Sequence, residues 1–227
     1  MSEADVTPSR LWRDLLSDDV VAYETDRFVH SHHLFAEERA IVRDAVPSRV
    51  EEFATGRVCA RLALADLGYP SAPLLRDRDR RPTWPAGCHG SITHTEGYCA
   101  AAVAPAALSA GIGIDVEVAG RVGERLEPRI CTPAEIGRLE RLDEVRRGAA
   151  ATTIFSAKEA VFKCQSHLPD ALRAFHDVEI ELEEEAFRVL FLRDPPEALG
   201  DLAFLEGRRR IEGALIYCGV MLPPSRV

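Results

Sequence analysis

Only two of the chain's 28 basic residues are lysines, Lys158 and Lys163. Both lie in the segment F-S-A-K-E-A-V-F-K, Phe155 to Lys163. Arginine is a planar fork that stays charged, whereas lysine is a compact ammonium that can exchange a proton. A chain that uses arginine elsewhere and lysine twice here points to ammonium chemistry in this segment; chance clustering of a rare residue is the alternative. Glu159 follows Lys158, and Glu159 and Lys163, at i and i+4, share one face of a helix. A plain surface pair there would contribute only about 0.3–0.5 kcal/mol. Upstream, G-I-G-I-D-V-E (Gly111 to Glu117) sets Asp115 and Glu117 two apart. On a strand both project from one face, and Ile112, Ile114 and Val116 line the other. Neighbouring carboxylates repel unless a cation or a shared proton relieves them. If the Glu159 face docks on this strand, three carboxylates converge, and such hard oxygen donors suit Mg²⁺ rather than zinc. The alternative is a solvated strand edge.

A third element is G-S-I-T-H-T-E-G-Y, Gly90 to Tyr98. Ser91, Thr93 and His94 can hold phosphate oxygens there, or merely cap a polar turn. His30-Ser31-His32-His33 lacks a helical spacing with a carboxylate and reads as a solvated loop. The cysteines, Cys59, Cys88, Cys99, Cys131, Cys164 and Cys218, form no C-x-x-C pair and read as reduced, buried thiols. The net charge of −9 argues against a nucleic acid or an anionic membrane as partner. The acidic start M-S-E-A-D-V is not expected to be a signal peptide, and the longest apolar stretch, Cys99 to Leu108, is too short to span a bilayer. A cytoplasmic enzyme or binding protein is expected.

These residues need elements to hold them. Glu37 to Arg39 open a helical pattern that Pro47 interrupts, and a second helix is expected from Ser48 to Leu67, ended by Gly68 and Pro70. Leu74 to Pro85, with Arg76, Arg78, Arg80 and Arg81, reads as a loop or hairpin. Ser91 to Ala104 reads as strand, turn, strand around Glu96-Gly97, and Gly111 to Val118 as a strand. A helix starts at Thr132-Pro133, and another covers Thr152 to Ser166. Val178 to Leu182, Phe187 to Leu192, Leu202 to Glu206 and Ala214 to Leu222 read as antiparallel strands. A weak repeat aligns Phe53–Arg61 with Phe155–Lys163 at an offset of 102 (155 minus 53). Together these features suggest an α+β chain of two similar halves, 1–110 and 111–227.

G-I-D-V-E at 113–117, with F-S-A-K-E-A-V-F-K downstream, resembles the paired signature of the Sfp-type 4′-phosphopantetheinyl transferases. W-P-A-G-C-H-G-S-I-T-H at 84–94 and R-V-E-E-F-A-T-G-R at 49–57 resemble the enterobactin-synthetase branch of that superfamily. The resemblance covers roughly residues 34 to 222. It implies two α+β halves related by a pseudo-twofold axis, with the active site in the cleft between them. It implies transfer of the phosphopantetheine arm of coenzyme A to a serine of an apo carrier protein, releasing adenosine 3′,5′-bisphosphate. Asp115, Glu117 and Glu159 match Mg²⁺-binding positions, with Mn²⁺ as the alternative metal. Lys163 matches a lysine on the pyrophosphate, and His94 a histidine on phosphate. Arg49, Arg57 and Arg76 match basic positions that hold the coenzyme A phosphates, although relatives carry lysine at the position of Arg76. Ser91, Thr93 and Lys158 join the expected coenzyme A contacts. The expected catalytic set is Glu159, Lys163 and Asp115, with Glu159 as proton acceptor. Arg121, Arg125 and Arg129 are the expected docking patch for an acidic carrier, and a monomer is expected. A binding module without turnover and a Mg²⁺-dependent pyrophosphatase are the competing readings.

Overall fold

Two long helices and two antiparallel sheets make up most of the regular secondary structure. The structure is a computed structural model and describes residues 5–199 and 204–224. It divides into two units, Met1–Ser109 and Ala110–Val227.

The first unit runs β1 (Thr7–Pro8), α1 (Arg10–Leu15), β2 (Val21–Thr25), α2 (Ala36–Ile41), α3 (Pro47–Asp66), β3 (Cys88–Thr95) and β4 (Tyr98–Pro105). The strands pair in the order β1-β2-β4-β3, all antiparallel. Ser9 caps α1 by accepting from Trp12 N, and Pro47 occupies the start of α3, where its missing N–H costs nothing. Glu96-Gly97 makes the expected tight turn, with Gly97 at φ +71, a conformation that glycine adopts freely. β4 lies between β2 and β3 and is buried from Tyr98 to Ala104. Its run of cysteine and alanines lets α3 sit low on the sheet. α3 is in turn buried on every side from Phe53 to Ala60, so its apolar residues form no clean stripe. The short elements β1, α1 and β2 carry too few residues to show a period in the sequence.

The second unit runs β5 (Gly111–Val118), α4 (Glu127–Ile130), α5 (Pro133–Leu139), α6 (Glu144–Gln165), β6 (Val178–Leu182), β7 (Ala186–Phe191), β8 (Phe204–Glu212) and β9 (Leu215–Leu222). The sheet order is β5-β9-β8-β7-β6, again antiparallel. Thr132 caps α5 in a box with Glu135, and Pro133 takes the first helical position as expected. α6 begins at Glu144, two turns before the expected Thr152, because Asp143 caps it by accepting from Arg146 N. Arg146, Arg147 and Gly148 hide those turns from an apolar period. β8 runs on to Glu212 through charged Arg208–Arg210, and the expected Leu202 lies outside the described residues.

The sequence match at offset 102 is not the structural register. α2 and α5 start 97 residues apart (133 minus 36), and so do α3 and α6 (144 minus 47). A buried glutamate at the third position of each short helix keeps the same spacing. Glu38 accepts from Phe35 N, from Leu74 N and from Arg61 of α3. Glu135 accepts from Thr132 N, from Ile180 N and from Lys158 of α6. Each glutamate thus ties a helix cap, a long-helix cation and a downstream backbone amide into one buried knot, and the cations are also 97 apart (158 minus 61).

Candidate active site

Gly111 and Gly113 decide where the carboxylates of β5 go. A Cβ at Gly113 would run into the backbone carbonyl of Ala160, and one at Gly111 into that of Cys164. Glycine therefore lets α6 lie directly on β5. Alternation then turns Asp115 and Glu117 toward the same helix. They are buried, at 4% and 8% exposure, which overturns the reading of a solvated edge. Lys163 Nζ on α6 donates to Asp115 Oδ1 at 2.6 Å and to the Ile114 carbonyl at 3.2 Å. Arg121 Nε lies 3.3 Å from Glu117 Oε2, but that oxygen is buried and accepts no hydrogen bond.

The charges of the three carboxylates act on one another. Burial pushes the Glu117 carboxyl up to about 7, and Asp115 and Glu159 push the same way against Arg121 and Lys163. Burial also raises Glu159, opposed by Lys163 and helped by Asp115. Among the described residues, no three His, Cys, Asp or Glu side chains stand ready as a metal-ligand group. The ammonium of Lys163 takes the place on Asp115 that a cation would share. The donor set still fits a hard divalent ion: it is all carboxylate, it is short of positive charge, and the buried Glu117 Oε2 lacks a hydrogen bond.

The first unit holds a basic pocket of about 510 Å³. Arg49, Arg57, Arg76, Arg80 and His94 line it, with Asp44 and Glu52 as its acidic members. Arg57, 5% exposed, donates from Nε to the Leu74 carbonyl at 2.6 Å and lies 4.1 Å above the Phe53 ring. Burial lowers its guanidinium to about 10, so it stays charged at neutral pH. Glu38 stands behind this arrangement, because it holds the Leu74 amide. Arg49 Nη1 lies 2.8 Å from His94 Nε2. Since guanidinium can only donate, His94 Nε2 accepts, which leaves the ring proton on Nδ1, 3.7 Å from Glu52.

Three of the expected coenzyme A contacts, Ser91, Thr93 and Lys158, are buried. Ser91 and Thr93 do not join His94 in one phosphate-holding set, because β3 buries them on one face and turns Ile92 and His94 to the other, where the pocket lies. Lys158, also an expected coenzyme A contact, is sealed inside the second unit. It has no exposed surface, and its ammonium donates to Ile130 O, Glu135 and Phe175 O at 2.8–2.9 Å, using all three protons inside the second unit. Sequence reasoning also missed Glu38 and Glu135. The T-P-A-E capping box was a visible signal for Glu135, while F-A-E-E around Glu38 lacks a capping hydroxyl. The His30–His33 segment is a short, largely exposed turn, and His30 faces Glu51 at 3.3 Å.

The fold and these clusters define an α+β protein with a basic, anion-accepting pocket in one unit and a carboxylate–ammonium cluster in the other. Residues 37–104 match the family model of the 4′-phosphopantetheinyl transferase N-terminal domain, and residues 111–202 that of the 4′-phosphopantetheinyl transferase superfamily. The chain is 33% identical to the 4′-phosphopantetheinyl transferase PptT of Mycobacterium tuberculosis over 82% of this chain and 85% of PptT. It is 43% identical to the 4′-phosphopantetheinyl transferase Svp of Streptomyces mobaraensis, over 67% of this chain but only 63% of Svp. Enterobactin synthase component D of Escherichia coli O157:H7 is 32% identical over 66% of this chain and 71% of its own length. A holo-acyl-carrier-protein synthase of Thermotoga maritima superposes with a TM-score of 0.40 at 22% identity, over 51% of this chain and 64% of that one. The chain belongs to the 4′-phosphopantetheinyl transferase superfamily, in its Sfp-type branch. No helix among the described residues is long and apolar enough to cross a membrane.

Proposed function

We propose that the chain transfers the 4′-phosphopantetheine arm of coenzyme A to a serine of an apo acyl or peptidyl carrier protein. The contact of Lys163 with Asp115 at 2.6 Å, beside two carboxylates raised by burial and mutual repulsion, carries this reading. Asp115, Glu117 and Glu159 would hold Mg²⁺, or Mn²⁺ in its place, and the ion would supply charge compensation on the diphosphate. The serine oxygen bonds to the β-phosphorus, the bond from that phosphorus to the bridging oxygen breaks, and adenosine 3′,5′-bisphosphate leaves. Glu159 takes the serine proton, and its raised proton affinity suits that role. Lys163 balances the charge that grows on the bridging oxygen. Arg49, Arg57, Arg76 and His94 hold phosphate at the nucleotide end of coenzyme A. Arg121, Arg125 and Arg129, all exposed, are the side chains to which an acidic carrier docks. The enzyme acts as a cytoplasmic monomer in this reading.

The test incubates the protein with apo carrier, coenzyme A and Mg²⁺ and weighs the carrier. A gain of one phosphopantetheine mass is expected, and its absence on several apo carriers would sink the proposal. Release of 4′-phosphopantetheine without a carrier would favour a pyrophosphatase instead.

A further inference from the structure

Arg80 is the one non-glycine residue among those described that has a positive φ, +66. L-residues avoid that region because Cβ crowds the backbone, and glycine is the residue that enters it freely. The turn around it is firmly built. Arg76 bridges Pro82, Asp77 N donates to Arg81 O, and Arg80 N donates to Asp77 O. The Asp77 carboxylate accepts from Asp79 N, Arg81 N and Arg81 Nε at 2.7–2.9 Å. These bonds hold an arginine where glycine would fit more easily, and that arginine lines the basic pocket.

Its neighbours in the pocket already have protein acceptors. Arg49 reaches Glu52 and His94, Arg57 the Leu74 carbonyl, and Arg76 the Ile41 carbonyl. In the turn, Arg81 is taken by Asp77 and Asp79, but no acidic side chain among the described residues pairs with Arg80. Charge complementarity sets the class of ligand: with neutral His94, the other three guanidinia exceed Asp44 and Glu52 by one charge, and Arg80 makes the excess two. A phosphomonoester carries about −1.5 to −2 near neutral pH. We propose that Arg80 is a phosphate-binding residue that completes this match and selects the 3′-phosphomonoester of coenzyme A.

The assignment rests on the coenzyme A reading above, so the experiment measures binding without any carrier. Calorimetry in Mg²⁺ buffer compares coenzyme A with 3′-dephospho-coenzyme A on the parent, R80G and R78A. R80G removes the guanidinium and suits the positive φ, so its thermal midpoint should not fall. Loss of one charge-assisted contact should weaken coenzyme A binding about tenfold and leave 3′-dephospho-coenzyme A unchanged. R78A removes a charge from the same turn but outside the pocket lining, and should bind coenzyme A like the parent. Unchanged affinity in R80G, equal loss for both ligands, or an equal loss in R78A would each overturn the assignment. A parent protein that binds neither ligand overturns it together with the coenzyme A reading. One that binds coenzyme A and never loads a carrier refutes transfer alone, and the R80G comparison then still decides the role of Arg80.

Discussion

At the residue scale, Lys163 has the most specific surroundings in the chain. Its ammonium fits between a carboxylate oxygen and a backbone carbonyl. A guanidinium is larger and planar and cannot take the same place. Lys163→Arg should therefore lower kcat by at least about tenfold with a nearly unchanged thermal midpoint; parental turnover would contradict the role given to this lysine. Glu117 makes a second prediction through its proton. Its folded value of about 7 lies above the ordinary 4.5, so the folded protein holds a proton that the unfolded chain releases. The stability from this group is full below about 4.5 and is lost as pH rises through about 7. In a chelating buffer, the parent should lose thermal stability between pH 5 and pH 8 by more than Glu117→Gln does. Affinity for Mg²⁺ should rise over the same window, because the ligand must give up its proton.

Among the elements, the seat of α6 on β5 sets the distance between the carboxylates and Lys163. Gly113→Ala places a methyl group against the Ala160 carbonyl, which belongs to helix backbone and cannot rotate away. Overpacking of this kind costs about 1–3 kcal/mol, and the shifted helix should cost turnover as well. Gly137→Ala on α5 meets open space and should be neutral or stabilising. Chemical denaturation and carrier loading of both variants check the contrast. How legible these elements were depended on what marked them. Thr132-Pro133 and Glu96-Gly97 are local signals, and both the helix start and the turn stand where the sequence puts them. The same-face pairing of Asp115 and Glu117 was legible from period two. Their burial was not, because it depends on glycine admitting a helix that is distant in sequence. The fate of Lys158 was hidden for the same reason: its signature position is plain, but its partners come from three other segments. The repeat failed at offset 102 because it matched residue types, whereas the register of 97 is carried by a glutamate, a cation and the helix-capping amide.

For the whole molecule, each unit has its own sheet, its own long helix and its own buried glutamate knot. The six cysteines are distributed over both units and are all buried as free thiols. Burial pushes Cys131 and Cys218 up to about 12 and raises Cys164 further. The native protein should thus react slowly with a thiol reagent at pH 8, and all six should titrate once denaturant opens both units. Rapid labelling of one thiol in the folded state would contradict this. The scarcity of lysine has a practical counterpart. Of the two side-chain amines, Lys158 is sealed, while Lys163 keeps 30% of its side-chain surface exposed. A mild acylating reagent should therefore mark a single lysine in the folded chain, and peptide mapping should find the tag on Lys163. Saturating coenzyme A should shield it, so that ordinary amine labelling becomes an occupancy gauge for the proposed pyrophosphate site.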